Sequence, residues 1–198
     1  MRYLIVCGGK IDKEFGLNEI KTDGIDAIIA ADSGMDFLYE NGVTPDIIVG
    51  DFDSATTKAL DFFERKGQTE IHRLNPIKDD TDTEYAIRLA ISEGARSIVL
   101  LGATGSRIDH VLGNISLLGI GLESKADISI IDTNNRIRMA DKPVTIEKSA
   151  QYGRFVSLIA VTDDNEVSLR GFKYPVTDYS FDRSTSLGIS NEIIDDHA

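Results

Sequence analysis

Apolar residues along the chain fall into short blocks that stop abruptly, and residues at helical spacing fill the intervals between them. The blocks at 3–7 (Tyr-Leu-Ile-Val-Cys), 27–31 (Ala-Ile-Ile-Ala-Ala), 47–49 (Ile-Ile-Val) and 97–101 (Ser-Ile-Val-Leu-Leu) each run into glycine or aspartate. Short, unalternating runs rich in β-branched residues predict strands covered on both faces. Residues 69–74 predict a more polar strand, and 127–131 a sixth. A short helix is expected around 15–21. Met35, Leu38 and Tyr39 recur at helical spacing until Asn41-Gly42 stops them. Residues 56–66 predict a helix with Leu60 and Phe63 on one face and Gly67 beyond its end. A further helix holds Ala86, Leu89 and Ala90 inward and ends at Gly94; the next carries Val111, Ile115 and Leu118 to Gly119. Six alternations of strand and helix predict an α/β domain, a parallel sheet with helices on both faces.

Helical periodicity ends near residue 136. Short alternating runs follow at 144–146, 155–161 and 166–169, some of them separated by turn residues such as Asp163-Asp-Asn165 and Arg170-Gly171. This pattern predicts a small antiparallel β domain, a sandwich. The expected division is therefore 1–135 and 136–198.

In parallel sheets ligands bind outside the carboxyl ends of the strands. Those ends carry Gly8-Gly9, Asp32-Ser33-Gly34, Asp51 and Asp53, the acids of 79–82, and the glycine loop 102–105. Chance would scatter acids and glycines over both edges, so the pattern reads as one composite site. Asp51 and Asp53 crowd together behind Gly50, and such carboxylates repel unless a hard cation such as Mg²⁺ lies between them. Asp53 or Ser54 equally serves as an N-cap for the helix that begins near Ala55. One or more of Asp79, Asp80 and Asp82 would complete a metal set, although one of this trio is expected to cap the helix that follows.

The loop at 102–105 joins a strand to a helix, where backbone N–H groups and the helix N-terminus suit a phosphate. A plain tight turn is the alternative. Neither the P-loop pattern nor the dinucleotide Gly-x-Gly-x-x-Gly pattern is present. Lys78 and Arg107 are nearby cations able to balance phosphoryl charge, or to stand as solvated surface residues. Asp109 in a first helical turn is explained either by the helix dipole or by contact with an acceptor substrate. His110 reads as structural. Phe172, Tyr174, Tyr179 and Phe181 form an aromatic stripe expected in a core or interface.

A formal net charge of -12, from 21 Lys+Arg against 33 Asp+Glu, argues against a nucleic-acid partner. Cys7 is the single cysteine, which leaves no internal disulfide and fits a reducing compartment. The N-terminus enters a strand at once without a signal-peptide pattern, and no apolar run approaches the roughly 18 residues of a membrane span. A cytoplasmic protein with no membrane partner is the expectation.

Five stretches taken together resemble the thiamine pyrophosphokinase family: Ala31-Asp-Ser-Gly34, Gly50-Asp-Phe-Asp-Ser54, Lys78-Asp-Asp-Thr-Asp-Thr-Glu84, Gly102-Ala-Thr-Gly-Ser-Arg-Ile-Asp-His110 and Ser186-Leu-Gly-Ile-Ser-Asn191. The resemblance covers residues 1–191. It implies transfer of the pyrophosphoryl group of ATP to thiamine, giving thiamine diphosphate and AMP. It also implies an α/β ATP- and metal-binding domain followed by a β-sandwich, and a homodimer with thiamine bound where the subunits meet. Carried over by position, Asp51, Asp53 and Asp82 are implied as Mg²⁺ ligands, and Asp32, with Ser33 and Gly34, as a further part of the ATP–metal site. Lys78, Gly102, Thr104, Gly105 and Arg107 are implied as contacts of the ATP phosphates. Asp109, Ser190 and Asn191 are implied for thiamine. The implied mechanism is in-line attack of the thiamine hydroxyl on the β-phosphorus with AMP leaving, which depends on positioning and charge neutralisation.

Two features depart from the family pattern. Many relatives set a tryptophan against thiamine; this chain has none, and Tyr174 or Phe172 is the substitute. Relatives are expected to continue beyond the Ser-Asn motif through closing strands, whereas this sequence stops at Ala198. Two competing readings keep the nucleotide site. One is a phosphotransferase or phosphohydrolase with another acceptor; the other is a nucleotide- or thiamine-binding regulator without catalysis. The full acid set favours an enzyme, because a pure binder has no need of so many mutually repelling carboxylates.

Overall fold

The computed structural model describes residues 1–52, 57–75 and 80–198. The chain divides into two compact units, Met1–Asp141 and Lys142–Ala198.

In the first unit, strands and helices alternate as the hydrophobic blocks require. The order is β1 (Arg2–Val6), α1 (Lys13–Ile20), β2 (Ala27–Ala31), α2 (Gly34–Glu40), β3 (Ile47–Gly50), α3 (Thr57–Lys66), β4 (Glu70–Arg73), α4 (Asp82–Ser92), β5 (Ser97–Leu101), α5 (Ile108–Leu117), α6 (Gly119–Ser124), β6 (Asp127–Ile131) and β7 (Arg136–Arg138). The sheet runs β4-β3-β2-β1-β5-β6-β7, parallel throughout except for β7, which pairs antiparallel with β6. The split thus falls after residue 141, because residues 136–138 extend the first sheet.

Successive residues of each central strand feed opposite faces. Tyr3, Ile5, Ile29, Val49, Ile98 and Leu100 pack with Ala86, Ile87 and Ala90 of α4. Leu4, Val6, Ala30, Ile48, Val99 and Leu101 pack with Met35 and Leu38 of α2 and with Ala59 and Phe63 of α3. Two buried faces explain the unalternating sequence of these strands. β4 lies at the edge, which accounts for its polar composition.

Two features of the helices differ from the pattern. α5 ends at Leu117, beside the expected stop at Gly119, but Leu118 keeps right-handed geometry and a further helix, α6, begins at Gly119 and runs until Lys125 turns left-handed at φ 59°. Of the three apolar residues marked along this stretch, Leu118 is buried and Val111 and Ile115 are half-buried, while Ile108 and Leu112 of α5 stand exposed. Among the described residues no helix is long and apolar enough to cross a membrane.

The second unit is antiparallel. β8 (Asn165–Leu169) pairs with β9 (Val176–Phe181), and isolated bridges join Glu147 to His197, Val156 to Asn191 and Phe172 to Ile193. β9 was not apparent in the hydrophobic pattern, because four of its six residues are exposed. Residues 144–146 and 155–161 form no regular strand; Ile146 exchanges backbone hydrogen bonds with Ala198 at 2.7 and 3.0 Å, and Val156 with Asn191. Phe172, Phe181 and Ile193 are the buried apolar side chains here.

Leu100 is fully buried in the middle of the sheet. Leu100→Ala should destabilise the first unit by about 2–5 kcal/mol, read as a lower denaturant midpoint at unchanged slope.

Candidate active site

β1 leads to β2 on one side of the sheet, whereas β5 leads to β6 on the other, so strand order reverses between β1 and β5. The crevice at such a reversal is where α/β sheets hold ligands. The chain segments leaving these two strands stay close: Gly9 N–H donates to the Gly102 carbonyl at 2.9 Å. Gly102 has φ +72°, and a Cβ there would sit 2.6 Å from the Cys7 carbonyl oxygen. Only glycine meets both demands. Gly34 opens α2 equally close to β1, where a Cβ would lie 2.0 Å from the Val6 carbonyl oxygen.

Among the described residues, Asp32, Asp51 and Asp82 each place a carboxylate oxygen so that the three lie within 4.8 Å of one another. They arrive from the ends of β2 and β3 and the start of α4. Thr81 caps α4, its hydroxyl accepting from the Glu84 N–H at 3.2 Å. The helix cap expected of one of Asp79, Asp80 and Asp82 is therefore supplied by Thr81, and the Asp82 carboxylate joins the group. Oxygen-only donors suit a hard divalent cation. Around an octahedral ion with bonds of about 2.1 Å, opposite oxygens stand about 4.2 Å apart, close to the observed grouping. These residues fit Mg²⁺. Asp53 and Lys78, two further expected site residues, lie outside the described residues.

On the other side of the crevice, Asp132 follows β6 and gathers the loops. It accepts from the Thr104 hydroxyl at 2.8 Å and from the backbone N–H groups of Asn134 and Asn135 at 2.8 and 2.7 Å. Burial works to raise its pKa, but the hydrogen bonds from Asn134, Thr104 and Asn135 outweigh it and hold the carboxyl below its ordinary value. A carboxylate cannot donate, so the Thr104 proton is directed to Asp132. What the loop offers an anion is its backbone N–H groups. Asn114 of α5 braces this loop by donating to the Ala103 carbonyl at 2.8 Å. Sequence reasoning marked the end of β6 but assigned no role to Asp132 or Asn114; the Asp-x-Asn-Asn turn was the available signal.

Arg107 and Asp109 hold each other. Arg107 Nη2 donates to Asp109 Oδ2 at 2.7 Å, and both side chains are well exposed. The pair raises the Arg107 pKa; Asp109 is lowered by Arg107 first and the His110 N–H second. A phosphate arriving at Arg107 would compete with Asp109. Cys7 is no nucleophile: burial pushes its thiol up to about 11, against a small opposing effect of the Thr83 hydroxyl.

In the second unit, Ser190 is exposed and left-handed at φ 61°, its N–H bonded to Ser157 Oγ at 3.0 Å. Asn191 is buried, and its carboxamide bonds the backbone of Tyr174 at both N–H and carbonyl and the Glu192 N–H. Its side chain thus fixes the loop that carries Tyr174. Of the two candidate replacements for tryptophan, Phe172 is 8% exposed and Tyr174 62%. Only Tyr174 presents its ring to solvent.

Comparison with known proteins decides the family. Residues 21–130 match the family model for the thiamin pyrophosphokinase catalytic domain, and residues 143–198 match that for the thiamin pyrophosphokinase vitamin B1 binding domain. The chain belongs to the thiamine pyrophosphokinase family. It is 36% identical over 168 residues to the thiamine pyrophosphokinase of Bacillus subtilis, covering 84% of this chain and 78% of that protein. The crystal structure of the Bacillus subtilis thiamine pyrophosphokinase superposes with a TM-score of 0.87 at 33% identity, covering 100% of this chain and 92% of the other. That of the Geobacillus thermodenitrificans thiamin pyrophosphokinase gives 0.79 at 30% identity, covering 100% and 90%. The two-part fold is the family's, and membership places the chain among the pyrophosphotransferases. The catalytic-domain match contains all three grouped carboxylates and the glycine loop.

Asp132 supplies a pH test. A carboxyl whose folded pKa is depressed stabilises the fold fully above its unfolded value, about 3.9, and loses that contribution as pH falls through the folded value. Asp132→Asn should therefore lower the melting temperature near neutrality. The gap from the unaltered protein should close below about pH 4 in a thermal series.

Proposed function

We propose that this protein transfers the pyrophosphoryl group of ATP to thiamine, yielding thiamine diphosphate and AMP. The observation that carries this reading is the meeting of Asp32, Asp51 and Asp82, from three separate segments, at the carboxyl edge of the sheet in a member of this family. We assign these three, with Asp53, to Mg²⁺. An ion bound there supplies charge neutralisation on the phosphoryl oxygens during transfer.

The remaining assignments follow from what each group can offer. Ser33, Gly34 and the backbone N–H groups at Gly102, Thr104 and Gly105 cradle the nucleotide phosphates, with Lys78 and Arg107 as the balancing cations. Asp109, once Arg107 turns to phosphate, is an exposed carboxylate suited to the cationic acceptor. Ser190 and Asn191 are assigned to thiamine as well, Asn191 through the loop it holds and Tyr174 as the exposed aromatic. Catalysis rests on alignment and electrostatics and needs no strong base. A homodimer and a cytoplasmic location complete the reading; the single cysteine suits a reducing compartment.

The test is AMP formation from ATP and Mg²⁺ with and without thiamine. AMP that depends on thiamine is expected; AMP released equally without it, or none at all, would overturn the assignment. Asp51→Asn and Asp82→Asn should each lower kcat/KM by at least about 100-fold with little change in melting temperature.

A further inference from the structure

Phe52 is a non-glycine residue at φ 62°, the second residue beyond β3 and next to Asp51. Asp32, immediately beyond the neighbouring β2, is also left-handed at φ 49°. Such backbone is costly for side chains with a Cβ and persists only where surrounding contacts over-determine it. For Phe52 those contacts are visible. Its ring folds back over Gly50, so closely that a Cβ on Gly50 would lie 3.0 and 3.2 Å from ring carbons and 3.3 Å from Asp32 Cα. The ring also packs on the apolar layer beneath α2 and α3. Above it lies Arg73, whose guanidinium carbon is 5.4 Å from the ring centroid.

Arg73 is itself placed from two directions. It is the last residue of β4, in register with Gly50. Its guanidinium is paired with Glu64 of α3. The next residue, Leu74, continues the ladder by donating to the Gly50 carbonyl at 2.9 Å. The ring is thus clamped between a glycine on one strand and a cation on the next.

We infer that Phe52 and Arg73 are positioning residues for the carboxylate group: their stack holds the left-handed turn that sets Asp51 beside Asp32 and Asp82. Neither side chain offers a donor that a hard cation would take, so the effect of the stack is exerted through Asp51. The inference rests on the metal assignment proposed above and adds two residues to it. It also gives a reason for the bulky residue between the two aspartates of Gly50-Asp-Phe-Asp. A glycine would adopt φ 62° without strain but would leave Arg73 nothing to stack on and the turn nothing to hold it.

The test is Mn²⁺ binding without nucleotide, followed by the loss of the free-ion electron paramagnetic resonance signal, alongside thermal melting. Asp51→Asn gauges the metal reading, because binding by the unaltered protein should depend on it. Arg73→Gln and Phe52→Leu should each weaken Mn²⁺ binding about 10-fold, the scale at which groups behind metal ligands act. Melting should change little, and the double variant should bind no more weakly than the worse single one. Arg73→Lys keeps a cation over the ring and should retain most of the affinity. Unchanged Mn²⁺ binding in both Arg73→Gln and Phe52→Leu would overturn the positioning role while leaving the metal site standing. A loss in Arg73→Lys as large as in Arg73→Gln would overturn the stack. Failure of the unaltered protein to bind Mn²⁺ would overturn the metal reading and this inference with it.

Discussion

Everything at the functional edge of this molecule answers to one constraint: three carboxylates held closer than they would choose. Two unit charges within 4.8 Å of each other repel by about 1 kcal/mol or more in bulk water and severalfold more near a protein surface. The fold sustains the arrangement by taking each acid from a different, independently anchored segment. Asp32 and Asp51 follow neighbouring strands whose ladder is closed by the Asp32 N–H donating to the Val49 carbonyl at 2.8 Å. Asp82 starts a helix, whose N-terminal dipole favours a negative charge. The left-handed residues Asp32 and Phe52 add backbone strain of about 1–3 kcal/mol each. Repulsion and strain concentrated at one sheet edge are what the proposed binding of a cation would relieve.

The rest of the crevice complements that edge. Asp132 draws the glycine loop and the turn after β6 together, and Asn114 braces the same loop from α5. The crevice therefore has an acidic side, where Asp32, Asp51 and Asp82 meet, and an opposite side that offers backbone donors. Phosphoryl transfer asks for this division, since its demands are alignment and neutralisation of charge. The Arg107–Asp109 pair spans both demands. In the proposed reading each partner suits one substrate class; in the structure the two pair with each other.

Much of this was legible in the chain because strands covered on both faces leave an unmistakable signature. The blocks at 27–31 and 97–101 coincide with β2 and β5, and the acids and glycines that follow them mark the functional edge. Candidate site residues were readable where chemistry and chain position coincide, as at Asp51, which meets Asp32 and Asp82. They were not readable where the role depends on register between distant segments. Nothing local says that Arg73 lies over Phe52, or that Asp132 accepts a hydrogen bond from the Thr104 hydroxyl; both depend on which strands become neighbours. β9 escaped notice for a different reason, since a strand exposed at four of six positions writes little hydrophobic pattern. Gly119 marked the end of α5, but nothing in the pattern showed that a new helix, α6, starts on that glycine. Capping shows the same limit: Thr81 and Asp82 are both competent caps, and only the structure shows the hydroxyl in that place.

The central claim concerns which bond of the nucleotide breaks, and phosphorus-31 NMR of the reaction mixture tests it most directly. With ATP, thiamine and Mg²⁺, the account predicts that the β- and γ-phosphorus atoms leave together. Signals of AMP and thiamine diphosphate should grow in equal amounts, with neither ADP nor inorganic phosphate among the early products. Accumulation of ADP, with thiamine monophosphate or free phosphate as its counterpart, would mean cleavage at the γ-phosphorus and would contradict the account.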